Sequence, residues 1–413
     1  MSTVIASEAK TLGAGPIAPR SWRTPVLLAI VAALTFVLFG LLGRDEATFF
    51  VWGSGLEPTP ASPRVLGLVL GVLAFAAAGL AFWMAYRRRK VRVWQSIVVG
   101  VAFLVSLTAW VGAGGNVPVV FLLTGTIGLS TAIVLGALSG VIGERVGIVN
   151  IAIEAQLLGG AFTAAVVATT TGNHIVALVA AMVVGALIAV VLATFAIVYV
   201  VDQVIVGVVL IALVTAVTNF LYSAVLSSNS SQFNNPGTLP LLPIPFLSDI
   251  PVVGPVFFDQ RLTTYLMFVL VPLTWFVLFR TKWGLRIRAL GEHPLAADTV
   301  GIKVNRWRFW TVTIAGLIAG LGGASPAIGA VWAFVPEVGA RPGVIALPAV
   351  VLGRGDSWGG AVAALLFAVW SVLDGDRWML RSSIPPELIA MTPYVATILA
   401  VAVGAGRVIA PKA

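Results

Sequence analysis

The chain has 413 residues, of which 59% are hydrophobic and 10% are charged, and its formal net charge is +9. So few charges exclude a sizeable soluble domain, and the lack of cysteine excludes disulfides, thiolate metal sites and a cysteine nucleophile. Apolar runs recur along the whole chain, each long enough to cross a bilayer core of roughly 30 Å as a helix. The predicted fold class is all-α: a polytopic membrane bundle of about 10–12 transmembrane or re-entrant helices.

The N-terminal part consists of a polar tail, 1–24, followed by transmembrane helices in 25–118. The first apolar run has no convincing small-residue cleavage site, so we interpret it as a retained helix and not a signal peptide. Five basic residues lie between Arg87 and Arg92. Basic loops stay in the cytoplasm, which places this loop and the N-terminal tail on the inner side.

Residues 119–406 form the predicted core, and a polar cluster lies near its start. Glu144 and Arg145 are predicted to pair and to mark a helix boundary. Asn150 and Glu154 fall in an apolar run predicted as one helix over 148–171, and their spacing of four places them on one helix face. Because a carboxylate at membrane depth usually faces the bundle interior or a cavity, these two residues are candidates for a translocation path.

Two polar stretches follow further along the core. His174 is predicted to be a solvated loop histidine, since no second ligand lies at metal spacing, and Asp202-Gln203 a short cytoplasmic turn. The loop 227–261 contains one basic residue, Arg261, and is predicted to be external, with a surface-lying segment within it.

The loop 280–308 is the most distinctive segment, with seven basic residues, and it is predicted to be cytoplasmic. Pro294 suits the first position of a helix and Gly301 the position just after its end. A helix of about two turns would offer a small apolar surface from Leu295, Ala296, Ala297 and Val300. This pattern has two interpretations: a docking element for a soluble partner, or a solvated loop with an incidental helical turn.

The last third of the core is interrupted. Gly353-Arg354-Gly355-Asp356 divides the apolar stretch 343–373, which is predicted to form two short pieces. A final span over 386–406 and a basic tail, 407–413, place the C-terminus in the cytoplasm. The pairs Gly136/Gly140, Gly143/Gly147 and Gly316/Gly320 predict close helix packing. No phosphate-binding loop, metal-binding pattern or catalytic pattern occurs, so catalytic, metal and cofactor sites are not expected.

Four segments carry a family resemblance: GERVGIVNIAIEAQLLGGAF (143–162), DQVIVGVVLIALVTAVTNFLY (202–222), GLRIRALGEHPLAADTVGIKVNRWR (284–308) and RPGVIALPAVVLGRGDSWGGAVAALLF (341–367). In order and spacing they resemble the permease subunits of bacterial ABC importers for branched-chain amino acids, simple sugars and nucleosides. The match is nearest to the nucleoside-type permeases that work with a basic membrane lipoprotein receptor. The chain departs from that pattern at Ala155, Gln156-Leu157, Ile211 and His293.

The resemblance implies a cytoplasmic coupling helix that docks on a separate ATPase. Carried over by position, this element comprises Gly291, Glu292, His293, Pro294, Ala297, Asp298 and Gly301. Asn150 and Glu154 match the family's polar positions near the path. The implied partners are an ABC ATPase subunit, a second and usually different permease subunit and an extracytoplasmic substrate-binding lipoprotein, with membrane lipid around the chain.

The resulting interpretation is a non-enzymatic transport subunit in the bacterial cell membrane, importing nucleosides, while a partner hydrolyses ATP. Nucleic acid is not an expected partner, because the positive-inside rule accounts for the basic charge. Within the same group, sugars or branched-chain amino acids are alternative substrates. In other classes, the alternatives are an ion-coupled secondary transporter, which would need further intramembrane acids, and a membrane scaffold or receptor.

Overall fold

The structure is a computed structural model that describes residues 22–53, 55–89, 91–336, 338, 340–375 and 391. Three predicted segments lie wholly or mostly outside the described residues. They are the tail 407–413, nearly all of the tail 1–24, and the span 386–406, of which only Met391 is described. The chain divides into two compact units, 1–118 and 119–413.

The described residues of the first unit form three long helices and a small sheet. Its helices are α1 (Arg23–Leu34, continued as a π-helical segment, Thr35–Leu41), α2 (Pro63–Tyr86) and α3 (Val93–Val111). Its strands are β1 (Thr48–Val51), β2 (Thr59–Ala61) and β3 (Asn116–Pro118), ordered β2-β1-β3. Strand β1 pairs antiparallel with β2 and parallel with β3, so the loop after α1 and the loop after α3 meet at one end of this unit.

The second unit is the larger helical bundle. Its elements are α4 (Val119–Arg145), α5 (Ile153–Thr171), α6 (His174–Ala193, with a π-helical end Thr194–Val198), α7 (Gln203–Leu221, with a π-helical end Tyr222–Leu226), α8 (Ser230–Phe233), β4 (Leu241–Pro243), a π-helical turn (Gly254–Phe258), β5 (Asp259–Arg261), α9 (Leu262–Arg280), α10 (Lys282–Glu292), α11 (Pro294–Thr299), α12 (Val304–Gly329), α13 (Ala340–Leu352) and α14 (Ser357–Gly375). Strands β4 and β5 pair antiparallel.

Helix α12 lies at the centre of this bundle, packed against α4, α5 and α6. Glycines allow the backbones to touch: a Cβ at Gly320 would overlap the carbonyl oxygen of Ala181, and a Cβ at Gly185 would overlap that of Gly316. Gly160 of α5 meets Gly320 in the same way. The close packing predicted for the pair at 316 and 320 is therefore confirmed, as is that for the pair at 136 and 140, which lies against α13. The pair at 143 and 147 is wrong, because Gly147 lies in the turn after α4. Such small-residue contacts are how membrane helices approach closely where lipid supplies no hydrophobic driving force.

The all-α membrane fold is confirmed. Nine helices of the described chain are long and apolar enough to cross a membrane, and Pro342–Leu352 and Ser357–Val372 are shorter apolar helices. The predicted break in 343–373 is confirmed, since α13 and α14 are separate helices with Gly353 packed against Gly359 and Gly360. Within the loop 227–261, strands β4 and β5 pair antiparallel, and the π-helical turn lies between them along the chain.

Two predicted helix boundaries are wrong. Helix α5 begins at Ile153 and not at 148, because Gly147 adopts a positive φ of 87° and the chain turns before the helix starts. Helix α12 begins at Val304, so the last residues assigned to the polar loop are helical, and α10 was not predicted at all. The sequence does not predict α10 because the basic residues of this segment give it the composition of a solvated loop.

The glycine contacts of α12 predict a specific loss of stability. Gly320→Leu would force a side chain into the backbone of α6, so we expect the midpoint of thermal unfolding in detergent to fall by roughly 5–10 °C. The matched control is Gly128→Leu in α4, where nothing lies within 4 Å of an added Cβ. Equal midpoints for the two variants would contradict the packing argument.

Candidate functional site

The 280–308 loop forms two helices, α10 and α11, that meet at His293. Thr281 caps α10, because its Oγ1 accepts a hydrogen bond from the backbone N–H of Gly284 at 3.1 Å. Helix α11 starts at Pro294, and Gly301 lies just beyond its end with a φ of 82°. The predicted short helix and both of its boundary residues are confirmed.

The two helices expose some of the predicted residues and bury others. Leu295 is 84% exposed and Val300 is 74% exposed, whereas Ala297 is only 4% exposed. Gly291 is also buried and Pro294 is half-buried, whereas the other predicted docking residues, Glu292, His293, Asp298 and Gly301, are exposed. The predicted apolar surface therefore consists of Leu295, Ala296 and Val300, and the prediction that Ala297 contributes to it is wrong. Ala297 instead faces inward as part of the main hydrophobic core.

Aromatic rings at the ends of the neighbouring helices hold α10 in place. The guanidinium of Arg286 lies 5.4 Å from the ring centre of Trp307, and the rings of Trp283 and Trp307 are 5.3 Å apart, edge to face. Arg288 lies 5.2 Å from the ring centre of Phe279. These contacts anchor the amphipathic helix to the end of α9 and the start of α12.

The turn between α4 and α5 contains Asn150, which is 1% exposed. The prediction that Asn150 and Glu154 share a helix face is wrong, because Asn150 precedes α5. Its Nδ2 donates to Ser139 Oγ at 3.1 Å and to Gln156 Oε1 at 3.0 Å, and Gln156 Nε2 donates back to Asn150 Oδ1 at 3.4 Å. Gln156 is one of the departures from the family pattern, and it supplies the hydrogen-bond partner of a buried amide.

Glu154 lies in the first turn of α5 and is partly exposed. Helix α13 passes directly over it, because a Cβ at Gly343 would lie 2.8 Å from the Cβ of Glu154. Among the side chains that the structure describes, the Glu154 carboxylate has no hydrogen-bond or ion-pair partner. The carboxylate is thus in position to accept hydrogen bonds from a ligand beside α13.

The sequence also predicts roles for polar residues near the helix ends. The predicted helix boundary is confirmed, because α4 ends at Arg145, but in the described chain no ion pair joins Glu144 to Arg145, so the predicted pair is wrong. Arg145 donates instead to a carbonyl of the α13–α14 connection. Asp202 caps α7, and Gln203 Oε1 accepts from the backbone N–H of Val149 at 3.0 Å. Arg308, counted from sequence as a loop charge, lies inside α12; its only sequence signal is a cation next to an apolar run.

The loop 227–261 is held down at several points. His174, predicted to be solvated, donates from Nε2 to the carbonyl oxygen of Pro236 at 3.0 Å. Asn234 accepts from the backbone N–H of Phe334 at 2.6 Å and donates to its carbonyl at 2.9 Å. Arg261 donates to a backbone carbonyl of the same loop, and burial lowers the pKa of its guanidinium. In the described chain no group of three or more His, Cys, Asp or Glu could hold a metal ion.

A family model described as "Branched-chain amino acid transport system / permease component" matches residues 122–405. The chain belongs to this permease family. The match includes the 280–308 loop, Asn150, Glu154 and the α13–α14 break, and it begins after the first unit. The protein is thus a multi-pass membrane protein of a transport family.

The relatives named for a substrate include nucleoside transporters. The guanosine ABC transporter permease protein NupQ of Bacillus subtilis is 37% identical over 297 residues, covering 70% of this chain and 93% of the relative. The nucleoside ABC transporter permease protein NupC of Lactococcus lactis is 33% identical, covering 69% and 92%. The putative glucose ABC transporter permease protein TsgC13 of Haloferax volcanii is 34% identical, covering 60% and 70%. No solved structure matches the chain significantly.

The buried amide pair predicts a coupled effect on stability. Asn150→Ala would leave the Gln156 amide buried without a partner, at a cost of about 1–3 kcal/mol in the free energy of unfolding. Asn150→Ala/Gln156→Leu should cost less than Asn150→Ala alone, because no amide is then left unpaired. Thermal unfolding in detergent measures both variants. Asn219→Ala, at an exposed asparagine of α7, is the control, and an Asn150→Ala midpoint equal to the control's would contradict the network.

Proposed function

We propose that this chain is the membrane-spanning permease subunit of an ATP-driven importer and that its cargo is a nucleoside. The main support for this proposal is that the chain matches nucleoside permeases over more than nine-tenths of their length. A second candidate cargo is a sugar, favoured by the similarity to a putative glucose permease, although that similarity covers less of both chains. Competition for guanosine uptake by unlabelled glucose distinguishes the two cargo classes, because glucose should compete only if the cargo is a sugar.

Residues 291–301 of the 280–308 loop form the proposed docking element for a separate ATPase subunit. Glu292, His293, Leu295, Asp298 and Val300 form an exposed ridge, while Gly291, Pro294, Ala297 and Gly301 give the ridge its shape. An exposed apolar pair among charges is the composition of a protein–protein contact. The partner hydrolyses ATP, and its closure moves this ridge. That movement shifts the bundle between outward-facing and inward-facing states, because the ATPase binds one state better than the other.

The translocation path is proposed to run beside Glu154. A carboxylate without a described partner, next to a broken helix, suits the hydroxyl and N–H donors of a nucleoside. Asn150 lies close to the path but acts on it indirectly, by fixing the turn from which α5 and Glu154 start.

The remaining partners follow from the family resemblance. A second, different permease subunit completes the path, and an extracytoplasmic lipoprotein delivers the substrate to the side of loop 227–261. That loop and the 280–308 loop lie at opposite ends of α9. The seven basic residues place the 280–308 loop in the cytoplasm of a bacterial cell, and both termini are proposed to lie on the same side.

The docking proposal predicts what happens when the exposed apolar residues of the ridge are replaced by charged ones. Because Ala297 is buried, changing it would disturb the loop itself, so the informative variant is Leu295→Asp/Val300→Asp. We expect affinity for the ATPase to fall about 30-fold or more, as at an interface hot spot, and ATP-dependent guanosine uptake to fall with it. Pull-down from detergent and uptake into membrane vesicles measure the two quantities.

The control for docking is Phe246→Asp, which changes an apolar residue that is 89% exposed in the opposite loop. This variant should keep ATPase association. Uptake that survives in the double variant and follows an ion gradient would replace the importer proposal with a secondary transporter.

The proposed path predicts a separate effect at Glu154. Glu154→Gln keeps the size of the side chain and removes its charge, so ATPase association should persist while guanosine uptake falls about tenfold, the loss expected for one hydrogen bond to a charged group. Glu57→Gln, at an exposed carboxylate of the first unit, is the control. Unchanged guanosine uptake in Glu154→Gln would remove Glu154 from the path.

A further inference from the structure

Three backbone carbonyls at the ends of elements in the second unit lie close to arginines. They belong to Val146, just after α4, to Leu290, in the last turn of α10, and to Gly355, in the break between α13 and α14. Helix ends leave carbonyl groups without intrahelical partners, and a positive charge near a helix C-terminus is favourable. In a membrane protein these carbonyls need donors from elsewhere in the chain.

Arg308 of α12 joins the first two of these carbonyls. Its Nε donates to Val146 O at 3.1 Å, and its Nη2 donates to Leu290 O at 3.4 Å. A Cβ at Gly147 would lie 2.9 Å from Arg308 Nη2, so the turn and the guanidinium are in direct contact. One planar guanidinium therefore connects the end of α10 to the α4–α5 turn.

Gly291 adds a second contact between the same two segments. A Cβ at Gly291 would lie 2.5 Å from the Arg145 carbonyl oxygen and 3.4 Å from the backbone nitrogen of Gly147. The backbone of the 280–308 loop thus rests on the backbone of the turn without a side chain between them. Such a contact limits how closely the loop can approach the turn, but it does not pull the turn along when the loop moves away.

Arg145 joins the turn to the third carbonyl. Its Nε and Nη2 both donate to Gly355 O, at 2.9 and 2.7 Å. Gly355 has a φ of 63°, and a Cβ there would lie 3.7 Å from Arg145 Nη2. The other end of α13 passes over Glu154 at Gly343. The contacts therefore run from the 280–308 loop to the broken helix beside the proposed path.

We propose that Arg308 and Arg145 act in series as positioning residues that transmit movement of the 280–308 loop, through the α4–α5 turn, to the α13–α14 break. We call this pair the arginine linkage. The proposal rests on the proposed function, because it names how the same permease couples its docking element to its path. Neither arginine touches nucleotide or substrate; each acts through the backbone carbonyls that it holds.

The test measures coupling and not activity alone. The complete complex of permease subunits, ATPase and receptor is reconstituted in vesicles, and guanosine uptake and ATP hydrolysis are recorded together. For Arg308→Gln we expect the complex to assemble and to hydrolyse ATP, but to move about tenfold less guanosine per ATP, within the usual range of coupling between sites. Arg145→Gln should give the same loss.

The double variant is the decisive measurement. If the two arginines act in series, Arg145→Gln/Arg308→Gln should lose no more coupling than either single variant, because the linkage is already broken. Losses that multiply in the double variant would show independent roles and overturn the proposal. Arg306→Gln is the matched control: it removes a basic charge two residues from Arg308, at an exposed side chain, and should keep the wild-type ratio.

Other outcomes are also decisive. If Arg308→Gln does not assemble, Arg308→Lys replaces it: it keeps the charge but lacks the planar fork that bridges two carbonyls, so it should assemble with a reduced ratio. Failure of both variants to assemble, with Arg306→Gln normal, would assign the arginines to folding and overturn the proposal. A normal ratio in Arg308→Gln would overturn the linkage and leave the importer intact. Absence of ATP-dependent guanosine uptake in the wild-type complex would overturn the proposed function itself.

Discussion

Backbone contact along α12 is the constraint on which the rest of the second unit depends. Gly316 and Gly320 meet the backbones of α5 and α6 without side chains between them, and lipid offers no hydrophobic force that could replace this contact. Such contact fixes the rotation of α12 about its axis. The rotation in turn determines where Trp307 and Arg308 project at the end of the helix, and so what the 280–308 loop can rest on.

The charged side chains near the helix ends form hydrogen bonds to backbone carbonyls more often than they form ion pairs with one another. In the described chain the one ion pair joins Arg64 to Asp45 in the first unit. In the second unit Arg145 and Arg308 donate to carbonyls that helix geometry leaves unpaired, and Arg286 and Arg288 lie over aromatic rings. Donation to fixed carbonyls ties segments together across long sequence separations. An ion pair between adjacent residues of one helix, such as Glu144 and Arg145, would not connect that helix to another segment.

These two features distinguish the helices packed around α12 from the segments that connect helices at one end of the bundle. The helices around α12 are held by close backbone contact, whereas the 280–308 loop, the α4–α5 turn and the α13–α14 break meet at a few points, through Arg308, Arg145 and the backbone of Gly291. Broken helices at membrane depth are tolerated where protein covers their backbone, and here Gly353 packs on Gly359 and Gly360. A conformational change that leaves the centre intact can therefore be carried by the segments that lie between helices. The first unit precedes the family match, and its described residues add three apolar helices with their own small sheet.

The sequence by itself determined the membrane class, most helix boundaries, the short helix from Pro294 and the break at Gly353–Asp356, because hydropathy, proline and glycine act locally along the chain. The order of four segments along the sequence also indicated the permease family. Only the tertiary structure decided that Asn150 lies in a turn bonded to Gln156, that Ala297 faces inward and that Arg308 belongs to a helix. Each of these depends on which segment arrives opposite the residue, and the spacing of residues along the chain does not contain that information.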